Sequence, residues 1–113
     1  MVYAPTDVFE QIIRGEVPAD IVFETETVIA FRDINPKAKK HILIVPKANY
    51  VTLNEIRRDN VEEFGKLFLV AKQVAEMENM EGYKLYMNVG EAAGQIVPHV
   101  HLHLLSSDFK TKL

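Results

Sequence analysis

The chain has 113 residues, 48% hydrophobic and 26% charged, with a formal net charge of −3; one globular domain over 1–113 is expected. The acidic balance argues against a broad nucleic-acid or anionic-membrane face, and the lack of cysteine excludes disulfides, thiolate metal sites and a cysteine nucleophile. No secretory leader is legible, and no apolar run approaches the ~20 residues of a membrane span, so a cytoplasmic protein is expected.

Thr6 or Asp7 can cap a first helix, with Pro5 ahead and Glu10 placed to complete a box with Asp7. Val8, Phe9, Ile12 and Ile13 form its apolar stripe and Gly15 ends it. Pro18 leads into a strand, Ile21–Glu24. After a turn at Glu24–Glu26, Thr27–Phe31 makes a second strand, which Asp33-Ile34-Asn35-Pro36 breaks. Lys37, Lys39 and Lys40 read as a solvated turn. His41–Pro46 is apolar almost throughout, which predicts a central strand buried on both faces.

A short helix can start at Thr52. Asp59 or Asn60 caps the longest helix, which runs to about Glu78 with Val61, Phe64, Leu67, Phe68, Ala71, Val74 and Ala75 as its core stripe. Tyr83–Val89 alternates like a strand. Gly90–Gln95 is a loop of small residues whose amides could cradle an anion. A last strand-like run covers Pro98 to Leu105. The order is helix, three strands, helix, two strands, with short connections. It predicts an α+β domain: an antiparallel sheet of about five strands with two helices packed on it.

Three of the four histidines stand at alternate positions of the last run, His99, His101 and His103. In an extended strand they share one face, while Val100, Leu102 and Leu104 face a core. Alternate Cα atoms lie about 6.6 Å apart, so the central imidazole is flanked on both sides. Such an imidazole can be held in one tautomer through one nitrogen, leaving the other to attack phosphorus. A metal is the competing reading, since His-x-His is a familiar ligand pair. Against it, the outer two backbones are about 13 Å apart, and carboxylates would have to come from distant positions such as Asp33 or Glu91.

His99-Val100-His101-Leu102-His103-Leu104-Leu105 resembles the histidine triad (HIT) signature. Phe9 to Ala19 is similar to the N-terminal helix of the Hint branch, and Ala30–Pro36 with His41–Lys47 resembles its next block. The resemblance implies a HIT-like fold and a homodimer that cleaves purine nucleoside 5′-phosphoramidates or adenylates, with no metal or other cofactor. It implies that His101 is the nucleophile on the α-phosphorus, flanked by His99 and His103, which shape its orientation and contact the phosphate or leaving group, with His41 supporting the far side. Asp33 would bind the ribose hydroxyls. Val8, Phe9, Ile12, Phe31 and Ile34 would enclose the base, and Asn88, Gly94 and Gln95 would line the phosphate site. Ile96 stands where Hint proteins often carry a hydroxyl, and Pro98 where they usually carry tyrosine. Both departures bear on substrate preference rather than on the nucleophile. Alternative activities are hydrolysis of dinucleoside polyphosphates, or nucleotide binding with weak catalysis. Neither nucleic acid nor membrane is an expected partner.

Overall fold

The computed structural model describes residues 7–108. Helix α1 spans Val8–Ile13; strands β1 (Ile21–Glu24), β2 (Val28–Arg32) and β3 (His41–Pro46) follow. Helix α2 (Val61–Met77) leads to β4 (Tyr83–Tyr86) and β5 (Leu102–Ser106). One-turn 3₁₀ helices lie at Leu53–Glu55 and Glu91–Ala93. The five strands form one antiparallel sheet in the order β1-β2-β3-β5-β4, so the expected α+β architecture is the one observed.

The helices cover opposite faces of the sheet. On one face Phe64, Leu67, Val70, Ala71, Val74 and Ala75 of α2 pack on alternate strand residues, among them Val28, Ala30, Ile42, Ile44, Leu102 and Leu104. On the other, Phe9 and Ile12 of α1 pack on Ile29, Phe31, Leu43 and Val45. Every residue of β3 is buried, as its apolar run predicts. A Leu or Ile reduced to alanine in such a core costs about 2–5 kcal/mol.

Local signals explain most of the boundaries. The Asp7 carboxylate accepts from the amides of Phe9 and Glu10, which caps α1; Thr6 lies outside the described residues. Glu10 does not complete the box, because its carboxylate turns to Arg14 at 3.5 Å. Thr52 and Glu55 do form a reciprocal box around the first 3₁₀ turn.

Three expectations need correction. Val61 and Phe68 are 47% and 54% exposed rather than core. At about 100° per residue they fall on one shoulder of the buried arc, and Val70 takes the core position on its other side. Strand β4 stops at Tyr86 instead of Val89. Strand β5 starts at Leu102, with a bend through Val97–His99 before it. Pro98 has no N–H for the ladder, and the next two amides go to Val97 and Tyr50 carbonyls instead of to β3.

Candidate active site

The alternation survives the bend. Val100, Leu102 and Leu104 all point into the α2-side core, and the histidines face the α1 side. His41, at the entrance of β3, completes the row: its ring lies 5.2 Å from that of His103, which lies 5.0 Å from that of His101. All four imidazoles are buried.

Hydrogen bonds settle their tautomers. The Lys37 amide donates to His41 Nδ1 at 3.0 Å, so the proton of His41 is on Nε2. His41 Nε2 lies 2.9 Å from His103 Nδ1 and 3.3 Å from an oxygen of Asp33. It therefore donates to this acceptor pair, and His103 carries its own proton on Nε2. That N–H is buried and has no partner among the described residues. An orphan donor of this kind costs about 1–3 kcal/mol, which an arriving acceptor would recover.

His101 has the opposite tautomer. Its Nδ1 donates to the His99 carbonyl at 2.7 Å, which leaves a lone pair on Nε2. His99 is different again. Its Nδ1 lies 2.6 Å from an Asp7 carboxylate oxygen and its Nε2 2.7 Å from the Pro46 carbonyl. Both nitrogens are engaged by these oxygens, so His99 has no free nitrogen for a phosphate or leaving group. That narrows the expectation for His99 to orienting its neighbours.

Burial favours the neutral form of His41, His101 and His103. It lowers His101, with a smaller push from His99, and lowers His41 although Asp33 opposes it. His103 is lowered to about 3, by burial first and then by His101, His41 and Lys37. Tyr86, opposite His103 in the β4–β5 register, stacks on that ring at 4.2 Å and 4°. Its hydroxyl is pushed up by burial and by Asp33.

The residues expected around the base come together unevenly. Phe9 meets His101 edge-on at 4.9 Å and Phe31 at 5.4 Å. Phe9, Ile12 and Phe31 are buried packing, so Val8 and Ile34, 37% and 91% exposed, are the ones with surface to offer. Asp33 sits at the end of β2, accepts from the Asn35 amide and faces His41. Asn88 and Gly94 are neighbours beside the loop.

Most of the amides expected to cradle an anion at Gly90–Gln95 are spent inside the loop. The N–H groups of Ala93, Gly94 and Gln95 bond to carbonyls of the same loop, and that of Gly90 to the Gln95 side chain. Positive φ at Gly90 and Gly94 lets the segment close on itself as a 3₁₀ turn. Gln95 is buried and spends its amide protons on the Val51 and Val97 carbonyls, so it fixes the loop rather than offering donors outward.

Among the described residues, Asp33, His41 and His103 hold ligand-type atoms within 4.8 Å of one another, as do Asp7, Glu10 and His99. Asp33 is thus the carboxylate that the metal reading lacked. A metal on the first set would have to displace the proton that His41 and His103 share.

A sheet with a helix on each face and a row of imidazoles running from the approach to β5 across to β3 places the molecule in a known class. The chain belongs to the HIT family, whose domain model matches residues 14–110. It is 42% identical over 104 residues to the purine nucleoside phosphoramidase of Escherichia coli, covering 90% of this chain and 87% of that one. It is 45% identical over 105 residues to a 14 kDa zinc-binding protein of Zea mays, covering 90% and 81%. The structure of a HIT family hydrolase from Clostridium thermocellum superposes with a TM-score of 0.89 at 41% identity, covering 97% of this chain and 98% of that one. No helix among the described residues is long and apolar enough to cross a membrane.

Proposed function

We propose that the protein is a nucleotidyl hydrolase that cleaves purine nucleoside 5′-phosphoramidates or adenylates at the α-phosphate through a nucleotidyl-His101 intermediate. The observation that carries this reading is the pair of opposite tautomers. His101 offers a bare Nε2 lone pair, and the adjacent His103 offers an unpartnered N–H. A nucleophile beside an orphan donor suits an anionic electrophile such as a phosphate. His101 Nε2 attacks phosphorus as the P–N bond breaks; the leaving nitrogen, protonated from solvent, departs as ammonia or the amine, and His103 bonds a phosphate oxygen. Water then attacks the same phosphorus, the bond to His101 breaks, the nucleoside monophosphate is released, and the proton of the water passes to solvent. A nucleotide conjugate as substrate fits a cytoplasmic setting.

Incubation with adenosine 5′-phosphoramidate, with and without chelator, and mass spectrometry of the quenched protein test the reading. The expected result is turnover indifferent to chelator and an adenylyl adduct on the protein. A second reading, a divalent cation on Asp33, His41 and His103, is favoured by that cluster alone. It requires turnover that chelator abolishes.

Asp33→Ala is expected to raise KM about 10- to 100-fold with a much smaller change in kcat. A carboxylate that accepts from ribose hydroxyls acts in ground and transition state alike, and such charged bonds are worth about 1.5–3 kcal/mol. An unchanged KM with a collapsed kcat would assign Asp33 to the His41–His103 relay instead.

A homodimer belongs to the same proposal. β4 is an edge strand, and the exposed shoulder of α2 flanks it. Ile56, Val61, Phe68, Leu85 and Met87 line one apolar groove there. A second copy would cover both. Sedimentation at micromolar concentration is expected to give a dimer, and Phe68→Lys a monomer; a monomeric wild type would remove the claim.

A further inference from the structure

We infer that Asp7 is a positioning residue for the nucleophile, acting through His99. The inference rests on the proposed function for its catalytic consequence, though not for its geometry. One oxygen of the Asp7 carboxylate caps α1 through the amides of Phe9 and Glu10. The other holds His99 Nδ1 at 2.6 Å, across 92 residues of sequence. The far nitrogen of His99 is held by the Pro46 carbonyl at the end of β3. The ring is therefore clamped between a helix cap and a central strand. Its own backbone carbonyl is the group that fixes the tautomer of His101.

This clamp does work that regular structure does not do here. The chain around His99 lies in a bend ahead of β5, and the ladder to β3 extends only as far as Leu102. The backbone that carries the His99 carbonyl is held by one turn bond to Val97, by the Val100 amide on Tyr50, and by the clamped side chain. Glu10, in the same cluster, brings a second carboxylate within 4.8 Å, so the ring has two carboxyl groups beside it. The same cap also sets the start of α1, from which Phe9 reaches the edge of both His99 and His101. Asp7 thus ties the wall of the site and the orientation of its nucleophile to one carboxylate.

Two substitutions separate the roles. Asp7→Asn keeps an oxygen for the cap and a polar group beside His99 but removes the charge. Asp7→Ser keeps the cap and loses the reach to His99. For both, kcat toward adenosine 5′-phosphoramidate is expected to fall about 10- to 100-fold with KM within about threefold, the size of loss that misplacing a reacting group brings. Nitrogen-15 histidine spectra read the geometry without turnover. Wild type should show a single His101 tautomer with its proton on Nδ1. In both variants His101 should divide between tautomers. Unchanged kcat in either variant, a rise in KM alone, or an unaltered His101 spectrum overturns the inference. A wild type with neither turnover nor adduct overturns the proposed function, and the spectra then decide the role of Asp7 alone.

Discussion

His101→Ala is expected to abolish turnover, with kcat down by several orders of magnitude, while nucleotide binding and the fold persist. The imidazole forms the bond to phosphorus, so its loss falls on the barrier rather than on ground-state affinity. The ring is buried against Phe9 and His103, but the segment has a second anchor. Val100 and Leu102 carry the packing of this segment on the opposite face, and both remain. His99→Ala and His103→Ala should cost less, because one orients and the other donates a single hydrogen bond. His101→Gly with added imidazole should recover part of the rate, since free imidazole can stand in for the missing nucleophile. The adenylyl adduct of wild type should be absent in His101→Ala, whereas full activity in that variant would falsify the covalent route.

Acid is expected to destabilise the protein through its buried imidazoles. The unfolded chain takes up protons on each histidine near its ordinary value of about 6.5. The folded chain resists, because His41, His101 and His103 are all lowered and His103 reaches only about 3. Between those values the unfolded state binds more protons, so stability falls as pH falls. His103 alone should cost about 2–3 kcal/mol between pH 6.5 and 4.5, at about 1.4 kcal/mol per pH unit. For a chain of this size that lowers Tm by roughly 10 °C. His103→Gln removes the group, so its Tm should decline less steeply over the same range; an identical slope would refute the account. Because His101 is neutral to below its ordinary range, the acid limb of kcat/KM should also lie below about 6.5.

Much of this arrangement was legible in the chain. Period-two alternation is a strict rule of extended backbone, so the three histidines could be placed opposite Val100, Leu102 and Leu104 without coordinates. The uninterrupted apolar run of β3 likewise announced a strand covered on both faces. Other features depend on what meets what. Asp7 reads as a helix cap by local rules, and nothing nearby in sequence says that its second oxygen reaches His99. The small residues of Gly90–Gln95 allow either an open cradle or a closed turn, and hydrogen bonds internal to the loop decide for the turn. Phe68 and Phe64, one turn apart, look equivalent on a helical wheel. In the fold one is buried and the other is out, because Phe68 lies just past the edge of the arc that meets the sheet. The Tyr86 stack on His103 follows from a cross-strand register that no short-range signal fixes.

The position of β5 in the sheet has a consequence for synthesis. It is the last strand of the described chain, yet it lies between β3 and β4, and its partners on β3 are some sixty positions upstream. While the chain leaves the ribosome, β1, β2 and β3 can pair as they emerge, but β3 must wait with one edge bare. Every residue on that edge is destined for the interior. The nascent protein is therefore inert until its final segment slots in, and during the wait it presents a tacky, unpaired margin to other chains. Slow translation or early termination between α2 and β5 should yield aggregates rather than a partly active product. A protease or holdase chaperone would find its substrate in that interval.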